Sequence, residues 1–183
     1  MTVINDFVST GTMPKSAIKK YAALVPPELA VLWTDYGVGT FRDGYLRIVN
    51  PDEWIQLVSD THEGFRPLIP ILTTAMGDII GWDGKLLRLL DYRHGLVRTL
   101  FAETFFLEDT QSLKYMDTKL FWLPYPQARE QYGTPGPDQC FGYVPILAAG
   151  GPEKVENLQI LDLHTHIEVI TALMGPLDKF VTY

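Results

Sequence analysis

The segment MGDIIGWDGKLLRLLDYRHGLVRTLF, residues 76–101, constrains the fold more than any other part of the chain. Its apolar runs are short and are split by Asp83-Gly84 and His94-Gly95. Asp-Gly between apolar runs is the commonest signal for a two-residue hairpin turn. The double leucines of LLRLL would also suit a helix, but the flanking turns favour strands. The segment therefore predicts an antiparallel meander in the middle of the chain, reversing at Asp83-Gly84 and again at His94-Gly95.

Helical signals surround that meander. PKSAIKKYAALV and PPELAVLWTDYG predict two short helices, the second with Leu29, Leu32, Trp33 and Tyr36 on one buried stripe. Pro27 and Glu28 suit its first turn, and Gly37 ends it. YLRIV predicts a strand. NPDEW predicts a helix start, with Asn50 as cap, Pro51 in first position and Asp52 and Glu53 toward the positive end of the dipole. Residues 100–132 turn helical, around Phe101, Phe105, Phe106, Leu120, Phe121 and Leu123, with Pro124 and Pro126 as interruptions. YGTPGPDQCFG (132–142) has loop composition. YVPIL and LQILDL predict two more strands. The last helix opens on a capping box, Thr165 to Glu168, and ends at Gly175-Pro176. The sum is an α+β fold: a mixed or antiparallel β-sheet packed with N-terminal and C-terminal helices.

A chain of 183 residues that is 46% hydrophobic can bury a sizeable core. Its 22 acidic residues outnumber 15 basic ones, for a net charge of −7. That disfavours direct binding to nucleic acid, which relies on Lys and Arg to neutralise phosphate. Cys140 is the only cysteine, so no internal disulfide forms. The start, MTVINDFVST, lacks a basic leader and a long apolar run, and no stretch is apolar enough to span a bilayer. A cytoplasmic protein without a membrane or cofactor requirement is expected.

Sites of chemistry were sought residue by residue. The loop GVGTFRDG lacks the third glycine of a dinucleotide fingerprint, because Arg42 holds that position and Gly44 follows two residues late. A helix precedes it and a strand follows, the reverse of the required context. DLHTH sets His164 and His166 two apart beside Asp162, the start of a metal site. The helix cap explains the same polar residues without metal and makes them a solvated helix start. None of the four serines lies in G-x-S-x-G, and Cys140 reads as a small buried hydrophobe. No catalytic, cofactor-binding or metal-binding residue is assigned. Two rival readings stay open: a small metal-dependent hydrolase using Asp162, His164 and His166, and a ligand-sensing regulatory module.

PPELAVLWTDYGVGTFRDGYLRIVNPDEW and TTAMGDIIGWDGK together resemble the GAD-like domain, with Met76 where an aromatic residue is more usual. CFGYVPILAAGGPEKVENLQILDLHTHIEVITALMGPL is similar to the companion C-terminal segment of the same proteins, with Ile146 replacing a small residue. The resemblance divides the chain into a GAD-like segment, 1–100, and a C-terminal immunity-family segment, 101–183, within one compact unit. It implies an immunity protein of the bacterial type VI secretion system, a cytoplasmic antitoxin that binds and silences a cognate DNase toxin without catalysis of its own. A nuclease presents a basic groove to DNA, so an acidic body is steered toward it. Acidic residues beside aromatics at turns are the expected partner-binding residues: Asp35 with Tyr36, Asp83 with Trp82, and Asp91 with Tyr92.

Overall fold

The computed structural model describes residues 3–64, 67–100 and 105–182. Strand β1 (Val8–Gly11) leads into α1 (Lys15–Tyr21) and α2 (Pro27–Val31), the latter prolonged by a π-helical turn over Leu32–Tyr36. Strands β2 (Val38–Phe41) and β3 (Leu46–Ile48) precede α3 (Pro51–Thr61). The meander follows as β4 (Ile69–Thr74), β5 (Ile79–Trp82), β6 (Leu87–Asp91) and β7 (Leu96–Leu100). Helices α4 (Phe106–Asp109), α5 (Leu113–Leu120) and α6 (Pro124–Tyr132) come next. The chain closes with β8 (Gln139–Tyr143), β9 (Leu158–Asp162), α7 (Leu163–Met174) and β10 (Phe180–Val181).

Among the described residues, eight strands form one sheet in the order β1-β2-β3-β4-β5-β6-β7-β10, and β8 pairs with β9 in a separate hairpin. Neighbours are antiparallel except β10, which returns parallel to β7. This is the expected α+β architecture. Gly37 ends the α2 helical stretch with φ 85°, and a Cβ there would lie 2.9 Å from the Gly11 carbonyl oxygen, so only glycine fits. Asn50 caps α3 by accepting from the Asp52 N–H at 3.2 Å, as its sequence predicts.

Side chains alternate across the strands, and both faces of the sheet are covered. Ile80, Leu89 and Leu100 belong to a core shared with Trp33, Tyr45 and Phe106. Ile79, Leu90 and Val97 face the other way, onto Trp54, Leu57 and Val58 of α3 and Leu163, Ile167 and Ile170 of α7. Burial on both faces explains why these strands carry apolar residues toward both sides. Helices α3 and α7 form the layer that matters below.

Several elements differ from the sequence expectation. Trp82 pairs with Leu87 and the Asp83 N–H donates to the Leu86 carbonyl at 3.1 Å, so the first reversal turns over Gly84-Lys85, one residue later than expected. Asp91 pairs with Leu96, so the second is a four-residue loop. Asp83 makes the first one by accepting from the Lys85 and Leu86 N–H groups at 2.9 and 2.7 Å. Leu100 is strand, and Phe101 lies outside the described residues. Pro124 and Pro126 sit in the first turn of α6, where a missing N–H costs nothing, so they start a helix instead of interrupting one. Residues 139–142 of the expected loop pair with β9. Of YVPIL, Tyr143 ends that strand and Leu147 enters a 3₁₀ turn. Helix α7 starts at Leu163, three residues earlier than a cap at Thr165 predicts, because Asp162 caps it by accepting from the Thr165 N–H at 2.8 Å.

Candidate partner-docking surface

Strand β9 runs directly into α7, and buried residues at 163, 166, 167 and 170 turn one side of that helix onto the sheet. The His164 ring lies 4.2 Å from the Trp54 ring of α3. At the far ends, the Leu177 N–H donates to the Thr61 carbonyl and the Glu63 N–H to the Leu177 carbonyl, both at 2.9 Å. The two helices therefore lie side by side and run in the same direction.

Their outward faces differ. Helix α3 presents Asp52, Glu53, Gln56, Ser59 and Asp60, all polar. Helix α7 presents Thr165, Glu168, Val169, Ala172, Leu173 and Met174, with one charge among them. Val169, Leu173 and Met174 are 51%, 57% and 41% exposed. Residues 48–64 and 155–178 carry four acidic residues each and no Lys or Arg. Every one of those acids is exposed. Lys20 of α1 reaches one of them, Asp52, at 2.5 Å, and the Tyr21 hydroxyl donates to the same carboxylate at 2.6 Å. The Lys20 bond holds the Asp52 carboxyl below its ordinary range, and the Thr165 amide does the same for Asp162.

Behind the end of α7 lies a buried charge network. The Arg93 guanidinium donates to Asp78 at 2.6 Å, with both side chains removed from solvent. Burial pushes the Asp78 carboxyl up to about 6 while Arg93 pulls the other way. Arg98 donates to Asp91 at 2.6 Å, and His94 Nδ1 sits 2.8 and 2.9 Å from the two Asp91 carboxylate oxygens. His94 Nε2 reaches Glu153 at 3.0 Å, and the hydrogen bond to Asp91 raises the imidazole above its ordinary value. Glu153 belongs to the connection between β8 and β9, so this contact ties that connection to the β6–β7 loop. Ile146, Leu147 and Ala148 of the same connection enclose a cavity of about 10 Å³ with Ile170 and Met174, no larger than one water. The exposed end of α7 thus rests on a braced support.

The residues singled out by sequence fall in different environments. Asp35 is exposed, and Tyr36 is half-buried, its hydroxyl accepting from the Ile4 N–H at 2.9 Å. Trp82 is core, 7% exposed, and the Asp83 carboxylate is engaged by its own loop and by Arg88 at 2.7 Å. Asp91 and Tyr92 are fully buried, so this pair offers no surface on the folded chain. Asp91 neutralises Arg98, and the Tyr92 hydroxyl bonds Thr61 at 2.7 Å. The structure does not bring the three pairs together into one patch of exposed acids and aromatics.

Asp162, His164 and His166 do not converge either. Asp162 caps α7, His164 stacks on Trp54, and His166 turns into the core, where a Cβ on Gly142 would meet its ring at 2.5 Å. Burial pushes the His166 imidazole down to about 4, so this residue is not the solvated helix start its sequence context suggests. Among the described residues no group of three or more His, Cys, Asp or Glu is placed to hold a metal ion. Cys140 is buried, as expected, and burial pushes its thiol up to about 12. Reasoning from motifs missed the α3–α7 face. The signal was present as two long stretches free of Lys and Arg.

Exposed acids on α3 and exposed apolar residues on the neighbouring α7, over a sheet covered on both faces, make a surface suited to protein recognition. Residues 2–93 match the GAD-like domain, and the chain belongs to that family. Residues 101–174 match the family described as T6SS immunity protein Tdi1, C-terminal, which puts the chain in the class of type VI secretion immunity proteins. The crystal structure of Atu4351 from Agrobacterium tumefaciens is similar with a TM-score of 0.76, over 97% of this chain and 88% of that one. At 17% identity that likeness is one of fold. No curated protein sequence matches. No helix among the described residues is long and apolar enough to cross a membrane.

Proposed function

We propose that this protein is a cytoplasmic immunity protein that binds a cognate DNase toxin of the type VI secretion system and silences it stoichiometrically, without catalysis. The observation that carries the reading is the match of residues 101–174 to a type VI secretion immunity protein. The acidic balance supports a nuclease as the target. A DNA-cutting enzyme must attract phosphate with Lys and Arg, and an acidic body competes for the same groove. Occluding that groove or holding the nuclease in an inactive shape would each suffice. Of the acid–aromatic pairs, Asp35 with Tyr36 is the one whose acid is exposed, and it is a candidate contact.

The test is co-expression with any secreted nuclease found encoded beside this chain. Rescue of growth, together with co-purification of the two proteins at a fixed ratio, is the expected result. A toxin that kills equally well with this protein present, and that fails to bind it, removes the assignment.

A further inference from the structure

We infer that the outward face of α7, with the acidic face of α3 beside it, is the surface on which the toxin docks. This rests on the immunity reading and specifies its interface. The exposed side of a surface helix is ordinarily polar and charged. Helix α7 instead places Val169 and Leu173 one turn apart, with Ala172 and Met174 beside them. Scattered exposed apolar residues need no explanation, but a cluster on one short helix end is the composition of an interface centre. Methionine adds an adaptable contact at its edge.

The charge on this face says what it fits. Asp60 and Glu63 at the α3 end and Glu168 of α7 are exposed carboxylates on the two neighbouring helices, and residues 48–64 and 155–178 hold no Lys or Arg. Exposed acids on one flank of an apolar helix face match a partner with an apolar anchor beside a Lys- and Arg-rich surface, as a phosphate-binding protein has. A second copy of this chain is disfavoured, because its matching face would bring like charges together. The division of labour is then ordinary for an interface. Leu173 and its neighbours supply desolvated contact, and the carboxylates supply encounter rate and register.

Two sets of full-length variants test this against an inactivated form of the toxin that the wild-type protein neutralises. Leu173→Asp is expected to raise Kd at least about tenfold, chiefly through faster dissociation. Asp60→Lys with Glu168→Lys is expected to slow association at least about tenfold at low salt. All these positions are exposed, so melting temperatures near wild type are expected and certify folding. Hydrogen exchange of the wild-type complex gives a reading that needs no variant, with protection expected in α7 and the C-terminal half of α3. Unchanged binding by both variants, or protection confined to the region of Asp35, would overturn the docking assignment while the immunity role stood. Wild-type self-association abolished by Leu173→Asp, with toxin binding unaffected, would overturn it equally. A wild-type protein that binds no toxin would bring down the function and the interface together, and that outcome is separately visible.

Discussion

Arg93 and Asp78 form an ion pair with almost no solvent contact, and such pairs are held at their geometry because either partner alone is costly. Replacing Arg93 by Met strands a carboxyl group that burial already pushes up to about 6. The expected loss is about 3–5 kcal/mol in urea unfolding. Pairing it with Asp78→Leu should recover much of that loss, and a double variant no better than the single one would show that the pair is not the cause. His166 makes a second argument at this scale. Its folded imidazole titrates near 4, below the ordinary 6.5, so folded and unfolded states are alike above pH 6.5. As pH falls from 6.5 toward 4 the unfolded chain takes up a proton that the folded chain refuses, and stability drops by about 1.4 kcal/mol per pH unit. Asp78 acts oppositely in an overlapping window, because its raised folded value favours protonation of the folded state. The comparison must therefore be made between wild type and His166→Gln. The variant should lie below wild type at pH 7, yet its stability relative to wild type should rise on acidification to pH 5. Parallel stability curves would exclude His166 as a buried neutral base.

At the scale of elements, what local chemistry dictates was legible and what distant pairing dictates was not. Asn50-Pro51-Asp52-Glu53 marks the start of α3 because cap, proline and dipole all act within one turn. Asn50→Ala should cost about 1 kcal/mol in thermal or urea unfolding, since the Asp52 amide loses its acceptor and Glu53 its donor. A loss near zero would mean that tertiary packing alone fixes this terminus. The C-terminal elements behaved otherwise. Gln139 to Gly142 have loop composition but become strand through pairing with residues 159–162, a partnership that no local window contains. The cap of α7 was misplaced for a related reason: Asp162 and Thr165 both carry cap chemistry, and the β9 strand fixes which of them sits at the junction. Moving the cap from Thr165 to Asp162 also turns His166 from solvent into the core. The candidate site followed the same division, since its acids were countable in the sequence while the pairing of α3 with α7 was not.

At the scale of the whole molecule, the acidic excess bears on how fast a partner is captured rather than on how the chain folds. The last strand rejoins the sheet beside β7, so α7 is held at both ends, by β9 before it and by the return to β10 after it. A face held in this way is presented ready-made, and association then needs little rearrangement. On the function proposed above, the nuclease must be met before DNA is, which places the advantage in the association step. Exposed charges act over about 30 Å at 0.01 M salt and about 3 Å at 1 M. Raising salt across that range should therefore slow association with the nuclease by at least about tenfold, while dissociation, set by the apolar contacts, changes much less. Stopped-flow mixing at several salt concentrations measures both rates. An on-rate indifferent to salt would separate the net charge of −7 from capture and leave apolar contact as the whole basis of recognition.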